Sequence, residues 1–380
     1  MIKLNSKKDC CGCTACASIC PKQCITMQAD DEGFLYPITD ESLCTNCNAC
    51  NKVCPIINKQ KTRTPLQSYA AKNRDREVLL DSSSGGIFSL LAEQILDEGG
   101  VVFGAVWVDG KVEHTYIEKP EELYRMRGSK YVQSDLKDTF RQARQFLRDG
   151  RLVLFTGTPC EIGGLKSFLK KGYDNLLALD VACHGAPSPK VLSLYLRELE
   201  CKYGSDVQLN FRSKRDGWQN YKVTAYTGDC HHFYESQKEN IFMKGFLREL
   251  YSRPACHDCA FKEFRSQSDI TLADFWGIEE VLPELDHTDG VSLVLFNTEK
   301  GCVFFSSIDR DLDLNKTSLT DALNHNGALL HTEKPHPERK YFFRHLGSKS
   351  LTKLIEECLA LRTSTRCKLR IQSYLHKLGL

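Results

Sequence analysis

Two runs of cysteines with the same spacing constrain this chain more than any other feature. Each run reads C-x2-C-x2-C-x3-C-P and ends in a proline, Pro21 or Pro55. Bacterial-type ferredoxin modules hold [4Fe–4S] clusters with this spacing, and the fourth ligand of each cluster comes from the other run. The predicted ligands of the first cluster are Cys10, Cys13, Cys16 and Cys54. Those of the second cluster are Cys44, Cys47, Cys50 and Cys20.

Structural zinc sites are the main alternative for these cysteines. Zinc takes four ligands per site, commonly as two C-x2-C pairs separated by a longer loop. A triple C-x2-C-x2-C with a distant fourth cysteine and a proline, present twice, fits that pattern poorly. Disulfides are not favoured, because no secretory segment accompanies the cysteines. Cys11 and Cys24 fall outside the repeated spacing, and we interpret each as a buried neighbour of a cluster.

The composition is that of a soluble globular protein with a sizeable core. The chain has 380 residues, of which 41% are hydrophobic and 26% are charged. No apolar stretch reaches the length of a transmembrane segment. The 19 cysteines, without a signal peptide, predict metal ligation in a reducing, cytoplasmic location. The formal net charge of +2 becomes more negative when clusters are bound, so nucleic acid is not an expected partner.

The sequence predicts an α+β ferredoxin-like N-terminal module followed by an α/β flavin- and cluster-binding domain with a partly parallel sheet. The module covers residues 1–58 and contains a hairpin in residues 25–43. A polar linker covers residues 59–66. Residues 67–345 alternate between strand and helix patterns, which is typical of a layered α/β domain. Residues 346–380 form a helical tail.

The hydrophobic pattern also places individual elements of the larger domain. The predicted strands cover residues 68–71, 101–108, 152–155, 176–181, 207–213, 221–226, 270–272 and 291–296. The predicted helices cover residues 87–96, 136–147, 162–169 and 191–199. In the tail, one apolar face consists of Ile371, Tyr374, Leu375 and Leu378. We interpret this face as docking on its own domain, although such a face also suits a membrane surface or a partner.

Four further cysteines stand where parallel strands end. Cys160 and Cys183 each follow a predicted buried strand, and Cys256 and Cys259 form a C-x2-C pair. Because the carboxyl ends of neighbouring parallel strands meet at one edge of a sheet, these cysteines would form a four-thiolate site. Single cysteines are also common as small core residues, so the spacing alone leaves both interpretations open. We interpret the remaining cysteines as core or surface thiols: Cys201, Cys230, Cys302, Cys358 and Cys367.

Two polar segments are candidates for binding the phosphates of a nucleotide cofactor. The first precedes the helix over residues 87–96 and consists of Ser83, Ser84, Gly85 and Gly86. Small residues allow a close approach to a phosphate, and a helix N-terminus favours an anion, but a serine is also a common helix cap. The second lies in a basic turn and consists of Ser129, Lys130 and Tyr131. Its alternative is an ordinary solvated turn.

Electron transfer through clusters indicates which cofactor to expect. A cubane cluster passes one electron at a time, whereas most organic substrates take a hydride or two electrons with protons. Flavin exchanges electrons in either way, so it is the expected cofactor between a cluster and an organic substrate. The chain has no G-x-G-x-x-G fingerprint, so NAD binding of the common type is not supported.

Together these segments resemble the coenzyme F(420) hydrogenase/dehydrogenase beta-subunit family. The stretches that carry the resemblance are residues 83–86, 128–131, 157–160, 183, 256–259 and 269–277. The resemblance implies a bound FAD and a third [4Fe–4S] cluster on Cys160, Cys183, Cys256 and Cys259. Members of the family reduce different compounds, so the resemblance leaves the substrate open.

The resulting prediction is an FAD- and [4Fe–4S]-dependent oxidoreductase with three clusters. Electrons from a donor such as ferredoxin would pass through the clusters and FAD to an organic small-molecule acceptor. His184, beside Cys183, is a candidate proton donor or a residue that hydrogen-bonds near the cluster. Two alternatives stay open. One is an electron-transfer subunit of a larger complex with no substrate site of its own, and the other is a sensing or structural cluster protein without flavin.

Overall fold

The computed structural model describes residues 1–308 and 311–360. The strands are β1 (Ile25–Ala29), β2 (Leu35–Thr39), β3 (Gln67–Asn73), β4 (Val101–Val108), β5 (Lys111–Ile117), β6 (Val153–Gly157), β7 (Leu176–Val181), β8 (Gln208–Ser213), β9 (Lys222–Thr227), β10 (Cys230–Ser236), β11 (Ile270–Asp274), β12 (Ser292–Phe296) and β13 (Leu312–Thr317). The helices are α1 (Ala15–Ile19), α2 (Ala49–Lys52), α3 (Arg76–Asp81), α4 (Ile87–Asp97), α5 (Thr139–Arg148), α6 (Pro159–Leu169), α7 (Pro189–Tyr203), α8 (Ile241–Leu247), α9 (Ile278–Val281), α10 (Glu299–Ser306), α11 (Leu319–Asn324) and α12 (Arg339–His345). A further helix covers residues 351–360.

An eight-stranded sheet forms the centre of the molecule, in the order β13-β3-β12-β11-β7-β6-β4-β5. The four central strands β11, β7, β6 and β4 are parallel to their neighbours within this group. The outer strands pair antiparallel. The predicted α/β domain with a partly parallel sheet is therefore confirmed, whereas the ferredoxin-like character of residues 1–58 stays a prediction.

Helices cover both faces of this sheet, which is why its central strands are apolar on both sides. Val153, Leu154 and Phe155 of β6 are all fully buried. Helices α4 and α10 pack on one face. Helices α5 and α6 pack on the other, and residues of the N-terminal segment join the same core. The N-terminal segment therefore lies against the α5–α6 layer.

The turn of the β1–β2 hairpin fixes the N-terminal segment to the rest of the chain. Arg339 donates to both carboxylate oxygens of Glu32, at 3.0 and 2.6 Å. Ser188, at the start of α7, donates to the carbonyl oxygen of Glu32, and Lys190 donates to that of Asp31. A bidentate arginine–carboxylate pair holds its partners in one geometry, so this contact sets the orientation of the hairpin.

A second core lies beside the large sheet. The antiparallel sheet β10-β9-β8 packs with α7, α8 and the helix over residues 351–360, through Leu354, Ile355 and Cys358. This part of the predicted tail docks on its own domain. The predicted apolar face formed by Ile371, Tyr374, Leu375 and Leu378 lies outside the described residues. Within the described part of the chain, no helix is long and apolar enough to cross a membrane.

Several predicted boundaries and elements were wrong. Helix α6 begins at Pro159 and not at residue 162, because Thr158 and Glu161 form a capping box and proline is favoured at the first helical position. Cys160 therefore lies in the first turn of a helix. Helix α5 begins at Thr139 and not at residue 136. The polar outer strands β5, β10 and β13 were not predicted at all.

Candidate redox centre

The third cysteine set, which we define as Cys160, Cys183, Cys256 and Cys259, gathers at the carboxyl edge of the central sheet. Cys160 and Cys183 follow β6 and β7, which are parallel neighbours. The chain segments that leave these strands therefore emerge side by side. Cys256 lies over the same edge, because the backbone N–H of Ala186 stands 3.4 Å from its sulfur.

The four thiols of the third set influence one another electrostatically. Burial raises the pKa of Cys183 well above its usual range, and Cys256 and Cys160 raise it further. Burial, followed by repulsion from Cys160, contributes most to raising the pKa of Cys256 to about 12, and Cys259 adds to the effect. Buried thiolates that repel one another need positive charge among them, and the iron of a cluster supplies it. The donor set thus fits a cluster, and its role as ligands stays a prediction.

The first cysteine set, Cys10, Cys13, Cys16 and Cys54, lines one cavity of the N-terminal segment. Cys54 belongs to the second sequence run and stands here beside three cysteines of the first run. Burial, followed by the neighbouring Cys10 and Cys54 thiols, raises the pKa of Cys16 to about 12. The thiolates of the first set would therefore also need positive charge among them, as those of the third set would.

The second cysteine set, Cys20, Cys44, Cys47 and Cys50, lines a separate cavity. Cys24 lines this cavity as well, and its sulfur lies 3.4 Å from that of Cys20. The cavity therefore offers five thiols for four predicted ligand positions. Cys47 is exposed to solvent, whereas Cys20 and Cys50 are buried, so the second set reaches the surface of the molecule.

The three sets form a sequence in space with the first set in the middle. Helices α1 and α2 pack together and carry one cysteine each, from the first and the second set. On the other side, Cys13 contributes most to raising the pKa of the Cys11 thiol well above its usual range, and Cys160 acts on the same thiol in the opposite direction, so Cys11 stands between the first and third sets. A β-carbon built at Gly164 of α6 would stand only 2.6 Å from the β-carbon of Cys13. Glycine at this position allows the helix that carries Cys160 to lie directly on the first set.

All cysteines of the described residues are free thiols. Within residues 1–308 and 311–360, no three or more Cys, His, Asp or Glu side chains converge closely enough to hold a single metal ion, whereas the four thiolates of a [4Fe–4S] cluster stand farther apart, around the cluster. The first and second sets each surround a cavity.

The two predicted phosphate-binding segments adjoin each other. The Ser83 hydroxyl oxygen lies 2.7 Å from the backbone nitrogen of Ser129 and 2.9 Å from its hydroxyl oxygen. Ser84 instead donates to the carbonyl oxygen of Val291, at 3.0 Å, next to the start of β12. The fold therefore brings the two segments into one site beside the edge of the sheet.

The two glycines of the first segment have a packing role. A β-carbon at Gly85 would lie 2.3 Å from the carbonyl oxygen of Ala71 and 2.5 Å from the backbone nitrogen of Ser292. Gly86 has a φ of +76° at the N-terminal cap of α4, a conformation that favours glycine. Close packing against β3 and β12 thus requires both glycines, and phosphate binding by this loop stays a prediction.

Lys130 is a cation whose hydrogen-bond partners among the described residues include no carboxylate. Its ammonium donates to the carbonyl oxygens of Met126, Arg127 and Gly128, at 3.4, 3.0 and 3.2 Å. Burial lowers its pKa to about 8. A cation that is desolvated and held only by carbonyl dipoles is stabilised by an anion placed against it. The environment of Lys130 therefore suits a phosphate.

Arg212 and Lys214, at the end of β8 and in the turn that follows, are part of this site and were not predicted. Arg212 donates to Asp274 and to the carbonyl oxygen of Ser83, at 3.1 Å from the latter. Lys214 donates to the carbonyl oxygen of Ser84, at 2.5 Å. Alternation along a strand places residues two apart on one face. The sequence signal that could have identified this pair is the presence of two cations, two residues apart, at the end of a predicted strand.

Aromatic side chains connect the two predicted phosphate-binding segments with His184, which follows Cys183 of the third set. Tyr131 lies with its ring 5.6 Å from that of Phe246, and Phe246 lies 5.2 Å from the His184 ring in an edge-to-face contact. Trp276, in the aromatic segment over residues 269–277, stacks on Trp218 at 4.9 Å. The Tyr131 and Phe246 rings form an apolar wall from the phosphate segments to the carboxyl edge of β7.

His184, the candidate proton donor, is paired with a buried acid. Its Nε2 lies 2.7 Å from the Glu249 carboxylate, which also lies 3.5 Å from Nδ1 of His257. Glu249 is buried and was not predicted. Because His184 and His257 each follow a cysteine of the third set, this group lies against that set, and a role in catalysis stays a prediction.

Comparison with known protein families decides the relationship of this chain. Residues 68–140 match the N-terminal model of the family described as "Coenzyme F420 hydrogenase/dehydrogenase, beta subunit". Residues 150–321 match the C-terminal model of the same family. The chain belongs to this family. The expected family is confirmed over more than half of the chain, and membership supports a redox role; the two models do not extend over the N-terminal cysteine runs.

A solved structure is similar to this family member in outline. It is a chain of the F420-reducing [NiFe] hydrogenase complex from Methanosarcina barkeri, with 17% sequence identity and a TM-score of 0.47. The match covers 80% of this chain and 92% of that chain. No curated protein matches the sequence.

Proposed function

We propose that this protein is an iron–sulfur flavoprotein oxidoreductase of the cytoplasm. In this proposal it carries electrons from a donor protein such as ferredoxin, through three [4Fe–4S] clusters and FAD, to an organic acceptor. The observation that carries the proposal is the third cysteine set at the sheet edge, with the first set directly behind it. Clusters supply one-electron transfer, and flavin exchanges either one electron or a hydride.

The chain's own residues would divide the work among three regions. The twelve predicted ligands would provide thiolates that are mostly half-buried, and the exposed Cys47 would bring one cluster to the surface, where a donor protein can approach. Lys130 would neutralise a phosphate of FAD, and Ser83 and Ser129 would fix the adjoining loops. The Tyr131 and Phe246 rings would provide an apolar boundary between the predicted phosphate-binding segments and the third set. Low polarity there strengthens the electrostatic contacts of the site.

A second function follows from family membership. The chain could act as the electron-transfer subunit of a larger hydrogenase-type complex and hold no substrate site of its own. A stable partner that co-purifies, with no acceptor reduction by the isolated chain, would favour this function. Acceptor reduction by the isolated, dithionite-reduced chain would favour the first.

Anaerobic purification tests the proposal directly. Three clusters and one flavin predict about twelve irons and about one FAD per chain, with the absorption bands of both cofactors. About eight irons would remove the third cluster from the proposal. Protein that binds zinc in place of iron, or that binds no flavin after reconstitution, would contradict it. Iron, zinc and flavin analysis of one preparation gives all three results.

A further inference from the structure

Arg253 is a buried cation that reaches from the third cysteine set to the first. Its side chain is almost completely buried, with 1% of the residue exposed. It stands three residues before Cys256, yet its guanidinium contacts the N-terminal segment. There Nε donates to the carbonyl oxygen of Cys10 at 2.8 Å, and Nη2 lies 3.6 Å from the Cys10 sulfur.

The other contacts of this guanidinium are also with neutral groups. Nη1 donates to the side-chain oxygen of Gln133 at 2.7 Å, and Nη2 donates to the carbonyl oxygen of Leu35 at 2.9 Å. The group lies 4.4 Å from the centre of the Tyr36 ring. These hydrogen bonds satisfy donors but bring no negative charge. Burying a charge is costly unless an opposite charge compensates it, and a thiolate-ligated cluster at Cys10 would carry that charge.

The backbone of Arg253 is hydrogen-bonded to the chain segments that carry the third set. Its N–H donates to the carbonyl oxygen of Ala186 at 2.9 Å, and its carbonyl oxygen accepts from the N–H of Cys256 at 2.9 Å. The backbone of Arg253 therefore holds the loop that carries Cys256, and its side chain places a positive charge beside the Cys10 sulfur. The sulfur atoms of the second set contact neutral groups, unlike the Cys10 sulfur beside Arg253. The Cys20 sulfur contacts the Cys24 thiol, and the Cys44 sulfur contacts the Asn46 side chain.

We propose that Arg253 raises the reduction potential of the cluster held by the first set, and so makes that cluster the preferred acceptor for electrons arriving from the second set. Reduction adds one negative charge to a cluster, and a buried cation beside a ligand sulfur stabilises the reduced form. Hydrogen bonds to the sulfurs and local charge are among the factors that set cluster potentials. This inference rests on the proposed function and assigns Arg253 as a positioning and tuning residue.

The experiment is a redox titration of anaerobically prepared full-length protein, followed by electron paramagnetic resonance. We expect Arg253→Met to lower the midpoint potential of one cluster, to leave the other two in place and to retain the full iron content. Arg253→Lys keeps the charge and should lie closer to the parent protein. The same shift should persist when Cys183→Ser removes the third cluster, which assigns the shifted signal to the first or second set.

Arg339→Met is the matched control. Arg339 is a second guanidinium of the same interface, but its hydrogen bonds go to Glu32 and to the carbonyl oxygen of Ser252. It makes no hydrogen bond with a cysteine in the described part of the chain, so its removal should leave all midpoints unchanged. An equal shift in this variant would assign the effect to domain docking and overturn the inference.

Iron content separates the remaining outcomes. Unchanged midpoints in Arg253→Met at full iron content overturn the inference and leave the proposed function intact. A parent protein that binds no iron overturns the proposed function itself. If Arg253→Met loses iron, Arg253→Gln, which keeps donors without the charge, is compared with Arg253→Lys. A lower potential in the glutamine variant than in the lysine variant supports the inference, and equal potentials overturn it.

Discussion

Arg212 and Asp274 form a two-bonded ion pair between β8 and the end of β11, with nitrogen–oxygen distances of 2.9 and 3.0 Å. The pair is largely shielded from solvent, and the Asp274 carboxylate also accepts from the indole N–H of Trp218 at 2.8 Å. The pair joins the smaller sheet to the large one next to the predicted phosphate-binding segments, where Arg212 also donates to the carbonyl oxygen of Ser83.

Removing the arginine of this pair should destabilise the fold. We expect Arg212→Met to lower the free energy of unfolding by about 3–5 kcal/mol, because it leaves the Asp274 carboxylate buried without its counter-charge. Anaerobic denaturant unfolding measures the change. Arg125→Met is the control, since its pair with Glu122 is exposed and should contribute no more than about 1 kcal/mol. Equal effects of the two substitutions would contradict the prediction.

Gly164→Ala tests the close approach of α6 to the first cysteine set. The added methyl group would meet the Cys13 side chain, and overpacking of this kind costs about 1–3 kcal/mol. We expect a lower thermal midpoint and partial loss of iron. Gly172→Ala is the control, because a β-carbon there meets no atom within 4 Å. A Gly164→Ala protein with full iron content and an unchanged midpoint would refute the contact.

Replacing two cysteines of the third set should remove one cluster. We expect the double variant Cys160→Ser with Cys183→Ser to lose about four irons and to keep the spectroscopic signals of the N-terminal clusters. Iron analysis and electron paramagnetic resonance measure both results. Cys201→Ser should lose no iron, since Cys201 is an exposed thiol. Retention of all iron in the double variant would exclude the third site.

The lowered pKa of Lys130 predicts a pH-dependent affinity for flavin. Burial lowers this pKa from 10.5 to about 8, so the ammonium loses its proton as the pH rises through about 8. We expect FAD affinity, measured by fluorescence titration of the flavin-free protein, to fall between about pH 7 and pH 9. Lys130→Met should bind FAD more weakly and without this dependence. A Lys130→Met protein with the original pH profile would contradict the assignment.

The same shift has a consequence for the flavin-free protein. Between pH 8 and 10.5 the unfolded chain holds a proton on Lys130 that the folded chain has lost. Stability contributed by this group therefore increases across that window as the pH rises. Comparing unfolding of the parent and Lys130→Met proteins at about pH 7.5 and pH 10 isolates the effect, which should be absent from the variant.

Local spacing made the cysteine sets predictable to different degrees. The grouping of Cys54 with the first run and of Cys20 with the second follows from a repeated spacing read within a short stretch. The proximity of Cys160 and Cys183 follows from strand ends in a parallel sheet. Their assembly with Cys256 depends on a loop far along the chain, which no local pattern determines; the argument from strand ends left this assembly open, and the family resemblance implied it.

Contacts between distant segments account for what the sequence did not reveal. Arg253 has the sequence context of a basic residue in a proline-containing turn, and only the folded chain brings it to Cys10. The missed strands β10 and β13 have polar compositions that the apolar pattern does not detect. For β5 the sequence did carry a signal, because the pair Asp109-Gly110 is typical of the two-residue turn of a β-hairpin. In the structure both residues have the positive φ values that this turn requires.

The contact of the β1–β2 turn with α7 and Arg339 determines which step of the proposed electron transfer would depend on diffusion. A ferredoxin module on a free tether would have to diffuse to its docking position before each transfer, so turnover would slow in viscous solvent and with a longer linker. Here Glu32 accepts two hydrogen bonds from Arg339, so the N-terminal segment of the proposed relay would already be docked. In the proposed function, transfer between the clusters would therefore be indifferent to glycerol and to insertions in residues 59–66, and only the encounter with a donor protein would be limited by diffusion.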